Sequence, residues 1–175
     1  PLEHRIGGTV YRATDTVLKR DVAIKLMQPE LADDEEGLES FYAEARAVAR
    51  LNHTNIIHLY QFGRYNEQLY LVMELALAES LDRLIDQLGT VPELRVLDIG
   101  IKISSALDTA LKNKLLHRDI KPGNILFNIN NEPKLVDFGL ACKSEAGGDY
   151  SEQIWGTPYY IAPEKLRREP ETFLA

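Results

Sequence analysis

The chain has 175 residues, 45% hydrophobic and 27% charged, enough for one buried core in one or two lobes; a disordered, collagenous or disulfide-built protein is excluded. Its net charge of -7 argues against a nucleic-acid partner, which needs a basic stripe, and the one basic cluster, Lys165-Leu166-Arg167-Arg168, reads as a solvated face. The single cysteine, Cys142, has no disulfide partner or zinc-ligand spacing, and neither a run of ~20 apolar residues nor a signal peptide at Pro1-Leu2-Glu3-His4-Arg5 is present. The expectation is a soluble, cytoplasmic segment, any membrane anchor of a parent protein lying outside it.

Thr9-Val10-Tyr11-Arg12-Ala13-Thr14 and Asp21-Val22-Ala23-Ile24-Lys25-Leu26 are β-branched runs around a polar link and predict two antiparallel strands. Acidic Asp33-Asp34-Glu35-Glu36 then precedes Leu38, Phe41, Ala45 and Val48 at helical spacing, a helix with negative charge at its positive end. Ile57 to Phe62 and Leu69 to Leu75 predict a second strand pair, turned at Arg64-Tyr65-Asn66-Glu67. A helix-led lobe starts near Ser80. From about Leu94, residues Val96, Ile99, Ile103, Ala106, Leu107 and Ala110 make one apolar stripe up to Leu111, closed by Lys112-Asn113-Lys114. Ile125-Leu126-Phe127 and Lys134-Leu135-Val136 flank a turn-forming stretch, Asn128 to Glu132, and predict a hairpin.

The residues with chemistry sit at the rims of that hairpin. His117-Arg118-Asp119-Ile120-Lys121-Pro122-Gly123-Asn124 precedes it and Asp137-Phe138-Gly139 follows, which supplies a proton acceptor and two oxygen ligands for metal in a fixed order. Hard Mg²⁺ held against phosphates takes only one or two protein ligands of this kind. Taken singly, each residue reads equally as a polar loop residue or an N-cap. Lys25 closes an apolar strand and reads either as a phosphate ligand or as a strand-end lysine that snorkels. Glu44 lies between Phe41 and Val48, where a carboxylate is costly unless it meets a cation; Lys25 is the expected partner, the alternative being a rim position that reaches water.

Joined in this order, the motifs resemble the catalytic domain of Ser/Thr protein kinases, a family whose signature set is well defined. The resemblance covers almost the whole chain. It implies an α+β, bilobal fold: residues 1–76 form an N-lobe of small antiparallel sheet, one helix and hinge, and residues 77–175 the first part of a helical C-lobe, ending after the activation segment. It also implies roles. Asp119 accepts or orients the substrate hydroxyl, Lys121 contacts the γ-phosphate, Thr157 of Gly156-Thr157-Pro158 bonds near both, and Lys25, paired with Glu44, holds the α- and β-phosphates. Asn124 and Asp137 bind Mg²⁺. ATP is implied to lie among Gly7, Gly8, Val10, Ala23, Lys25, Leu126, the gatekeeper Met73 and the hinge Glu74-Leu75-Ala76. Val48, Leu59, His117 and Phe138 match the apolar column that links the lobes, and Ala162-Pro163-Glu164 ends the activation segment.

Lys121 and Gly156-Thr157-Pro158 suit Ser/Thr acceptors on a protein substrate, and Tyr11-Arg12-Ala13-Thr14-Asp15 with Pro29-Glu30-Leu31-Ala32-Asp33-Asp34 resembles the bacterial branch. Arg118 beside Asp119 marks kinases whose activation loop is ordered by phosphorylation, an arginine there wanting a dianionic partner. Ser144, Tyr150 and Ser151 are available in that loop, Gln153 fills a frequent phosphosite with a residue that cannot be phosphorylated, and Ser151 is the expected control residue.

Two departures stand out. Counting back from Gly8-Thr9-Val10-Tyr11, the first two glycines of the family's G-x-G-x-x-G-x-V fall on Glu3 and Arg5, where side chains obstruct backbone approach to phosphates. Either the loop is degenerate, or Arg5-Ile6-Gly7 is its lead-in and four tip residues are absent before Gly8, the reading favoured here because the flanking strands fit. The chain also stops at Glu171-Thr172-Phe173-Leu174-Ala175, where the family continues into anchoring helices and supplies an arginine for Glu164. A fragment of weak stability and little or no turnover is therefore expected. A pseudokinase serving as a nucleotide-binding or scaffold module is the main alternative. A small-molecule kinase, such as an aminoglycoside or choline phosphotransferase, would usually replace Arg118 and lack Ala162-Pro163-Glu164.

Overall fold

The computed structural model describes residues 3–5, 8–28, 35–138 and 158–167. A five-stranded antiparallel sheet contains β1 (Glu3–Arg5), β2 (Gly8–Asp15), β3 (Arg20–Met27), β4 (Leu59–Tyr65) and β5 (Gln68–Glu74), in the order β1-β2-β3-β5-β4. Helix α1 (Glu35–Ala49) packs on it. Then come α2 (Leu81–Leu88), α3 (Glu93–Lys112), the hairpin β6 (Ile125–Phe127) and β7 (Pro133–Leu135), and short α4 (Pro163–Leu166). The fold is α+β, as the motifs imply. Among the described residues no helix is long and apolar enough to cross a membrane.

Strand β3 is paired on both edges, which explains its near-continuous apolar sequence. The link to it from β2 turns on Asp15, whose Oδ1 accepts the N–H groups of Val17 and Leu18 at 3.1 and 3.0 Å. Those bonds, with Arg20 nearby, hold the Asp15 carboxyl below the usual carboxylate range. Asn66 and Glu67, at φ 45° and 64°, close β4 onto β5 in a two-residue turn whose hand matches strand twist. A β-bulge at Tyr60 interrupts the β4–β5 register, Leu59 pairing with Met73 and Gln61 with Val72.

The core runs from α1 and the sheet through to α3 and β7 and includes Phe41, Val48, Leu59, Leu71, Ile103 and Leu135. The expected α3 stripe holds at Ile99, Ile103, Ala106 and Ala110, but Val96 is 51% exposed. Its neighbour Arg95 faces the hairpin instead, with its guanidinium over Phe127 and a hydrogen bond to Asn131 Oδ1. Strand boundaries also shift by one to three residues. Ile57 is not the start of β4, because its N–H is spent on the Leu135 carbonyl at 2.9 Å, and β7 begins at Pro133 rather than Lys134. Helix α2, not resolved within the helix-led lobe from the sequence, has no fully buried residue, although Leu81, Leu84, Ile85 and Leu88 recur at helical spacing and Leu81 and Leu84 pack against the core.

β1 pairs with β2 as Glu3↔Val10, His4↔Thr9 and Arg5↔Gly8, so Glu3 and Arg5, counted above at the first two glycine positions, are strand residues. Gly8 has φ 152°, and a Cβ there would lie 1.9 Å from the backbone oxygen of Leu26. Only glycine fits. Gly8→Ala is expected to destabilise the fold by about 1–3 kcal/mol, the range for forced backbone strain, read as a lower urea midpoint at unchanged m-value.

Candidate active site

Cross-strand register brings the first part of the site together. Val10, Lys25 and Leu71 stand opposite one another across β2, β3 and β5, and Ala23 stands opposite Met73. Directly paired residues share a face of the sheet, so Val10, Ala23, Lys25 and Met73 point to one side. There, with Glu74, Leu75, Ala76, Leu126, Val136 and Asp137, they line a cavity of about 200 Å³. Ile57, Glu79, Ser80 and Arg83 also line it. Sequence reasoning missed these four; the only signal for the last three was their position just after the hinge residues.

Lys25 is 3% exposed, and its Nζ lies 2.8 Å from Asp137 Oδ1. This ion pair differs from the expected one, in which Lys25 meets Glu44. Glu44 is 8% exposed, on the face of α1 that carries Phe41, Ala45 and Val48, so the rim alternative that reaches water does not hold. An aspartate from beyond the β6–β7 hairpin reaches the buried ammonium because Asp137 adopts φ 61°, a left-handed conformation that costs a non-glycine residue on the order of 1 kcal/mol and turns the chain sharply after β7.

The second part of the site is the loop before β6. Asn124, 3% exposed, closes the 3-10 turn Pro122–Asn124 and donates its amide nitrogen to Asp119 twice, to the backbone oxygen at 2.8 Å and to Oδ2 at 2.9 Å. Lys121 Nζ lies 2.8 Å from the same Oδ2. The oxygens of Asp119 can only accept, so the Asn124 amide nitrogen faces them and its carbonyl oxygen is left as an electron-pair donor. That oxygen, like the Asp137 carboxylate, is a hard donor. Among the described residues no cluster of three His, Cys, Asp or Glu occurs. The donor set fits Mg²⁺ held mainly by phosphate, and does not fit an all-protein metal cage.

His117 ties the two parts. Its Nε2–H donates to the Val136 carbonyl at 2.8 Å, its Nδ1 accepts the Asp119 N–H at 3.3 Å, and its ring lies 4.7 Å from that of Phe138. Both nitrogens are used as a neutral imidazole uses them. Burial is the main cause that pushes its pKa below 6.5, outweighing the Val136 bond and the nearby carboxylates. Val48, Leu59, His117 and Phe138, matched to an apolar column from the sequence, are all buried. Arg118 adopts φ 67°. Gly7, Ser151 and Thr157 lie outside the described residues, as do Ser144, Tyr150 and Gln153.

This arrangement is matched by a family description, the protein kinase domain, over residues 6–173. The chain belongs to the protein kinase family. Named serine/threonine-protein kinases are similar to it. PknL of Mycobacterium tuberculosis is 40% identical over 92% of this chain and 41% of its own length, and PrkC of Bacillus subtilis is 35% identical over 93% and 26%. The crystal structure of the PknI kinase domain of Mycobacterium tuberculosis superposes with a TM-score of 0.69 at 30% identity, covering 80% of this chain and 57% of that one. The kinase chain thus spans well under half the length of these curated relatives.

In this kinase domain a buried neutral histidine makes stability depend on pH. The folded pKa of His117 lies below its ordinary value of 6.5, so its contribution is fully present above that value and is lost as pH falls toward the folded pKa. The unfolded chain binds the extra proton first. Urea unfolding at pH 7 and pH 5 is expected to show wild type losing more stability than His117→Phe, by up to ~1.4 kcal/mol per pH unit. Equal losses in the two proteins would refute this account.

Proposed function

We propose that the chain carries the catalytic core of a Ser/Thr protein kinase, which moves the γ-phosphoryl group of ATP onto a protein hydroxyl. The observation that carries this reading is the convergence of Lys121 and Asn124 on the carboxylate of Asp119, with the Lys25–Asp137 pair at the wall of the adjoining cavity. In the reaction the acceptor oxygen forms a bond to the γ-phosphorus, the bond to the β,γ-bridging oxygen breaks, and ADP leaves. Asp119 orients the hydroxyl and takes its proton, while Asn124 and Lys121 hold that carboxylate in place. Lys121 is then close enough to meet charge on the transferred group, and Lys25 to meet the α- and β-phosphates. Asn124 and Asp137 would hold Mg²⁺, which would neutralise phosphate charge. The backbone of Glu74 to Ala76 is assigned the adenine edge.

Mg-ATP autophosphorylation of the full-length protein, with mass mapping of the sites, tests this. Asp119→Asn keeps the shape and removes the base, so incorporation is expected to fall by ~10²–10⁴-fold. A pseudokinase is the second reading, favoured by Glu3 and Arg5 at glycine positions of the β1–β2 hairpin. Its outcome is different: ATP binds and no transfer occurs in either protein.

Regulation through the activation segment belongs to the same proposal. Arg118, adjacent to Asp119 and in a left-handed conformation, is assigned the role of receiving a phosphate from that segment, with Ser151 as donor site. Ser151→Ala is expected to stay at the rate of the unphosphorylated protein after incubation with ATP. If it matched the phosphorylated wild type, control would have to reside elsewhere.

A further inference from the structure

In the kinase reading Glu74 acts only through its backbone, as the first hinge residue, and Lys134 has no role. Their side chains are engaged with each other. The Lys134 ammonium meets both carboxylate oxygens of Glu74, Oε1 at 2.8 Å and Oε2 at 3.0 Å, and Oε2 also accepts the His58 N–H at 3.2 Å. The Glu74 N–H donates back to the His58 carbonyl at 2.8 Å. Lys134 is 8% exposed and the Glu74 side chain 23%, so solvent screens the pair only in part.

The pair's location gives it meaning. Glu74 ends β5 and opens the stretch 74–76 on one wall of the cavity; Lys134 stands opposite Leu126, which lines the cavity too, three residues before Asp137. One ion pair therefore spans from the hinge to the strand that delivers Asp137.

We infer that Glu74 and Lys134 are positioning residues for nucleotide binding, setting the distance between the hinge backbone and the Leu126 side of the cavity. This rests on the nucleotide-binding reading above. Removing the lysine charge leaves the Glu74 carboxylate with the His58 N–H as its stated partner and draws it toward water, which shifts the start of the hinge. The sheet itself is kept, because Glu74 also pairs with Val22 through the backbone.

The test uses the full-length protein as wild type, Lys134→Met, Glu74→Gln, the double variant and Lys134→Arg, with the Kd for Mg-ATP by calorimetry and the Tm without nucleotide. Lys134→Met is expected to weaken binding about tenfold, within the range for coupled charge pairs. The double variant should be no weaker than either single one, and Lys134→Arg should recover most of the loss. A lowered Tm with unchanged Kd would leave the pair a merely structural role and overturn the inference, as would tighter binding. Wild type that takes up no nucleotide would overturn the reading beneath it. Should Lys134→Met fail to fold, Glu74→Gln carries the same comparison, since it keeps the side-chain shape.

Discussion

Asp137 is held by the two residues before it. Leu135 gives its N–H to the Asn55 carbonyl and its carbonyl to the Ile57 N–H; Val136 gives its N–H to the Asn124 carbonyl and its carbonyl to His117. Four polar groups of two residues are thus spent on three separate segments, and both side chains are buried. Because unmade buried hydrogen bonds cost more than made ones gain, this stretch has few alternative conformations. The left-handed turn at Asp137 follows from a strand end that is fixed on every side.

The electrostatics depend on the same anchoring. A lysine buried as deeply as Lys25 needs a fixed anion, and Asp137 supplies one from a different part of the chain. Asp119 is treated similarly: Lys121 and Asn124 share its Oδ2, so the carboxylate is aimed as well as neutralised. In both pairs, Lys25–Asp137 and Lys121–Asp119, opposite charges are brought to 2.8 Å, and neither pair is formed by residues of a single helix face. The arrangement suits a highly charged substrate whose own charges would enter both pairs.

Much of this was legible in the sequence, for physical reasons that differ by element. The strands around Val10, Lys25 and Met73 announced themselves through β-branched runs, and the loop from His117 to Asn124 through the density of side chains able to accept protons or bind cations. Ion-pair choice was less legible. Periodicity places Glu44 on the inner face of α1, but the Lys25–Asp137 pair depends on a backbone reversal at an aspartate, which leaves no periodic trace. The inward place of Arg95, where Val96 was expected to face the core, has a comparable reason: a guanidinium can stack on Phe127 and still bond to Asn131, which hydropathy does not encode. Lys134 was read as an ordinary strand residue because nothing local marks a lysine whose partner lies 60 positions away.

The bulge at Tyr60 sets the phase of everything downstream in β4. Side chains along a strand alternate, so Leu59 and Phe62, an odd number of residues apart, would face opposite sides of a regular ladder. The extra residue brings both to one side: Leu59 enters the core beside Val48, and Phe62 packs on it, with its ring 6.0 Å from that of Tyr42 on α1. One unpaired residue at the sheet edge therefore acts as a frame correction, and its loss would invert the remainder of the strand, exposing Phe62 while the sequence of every other element stayed intact.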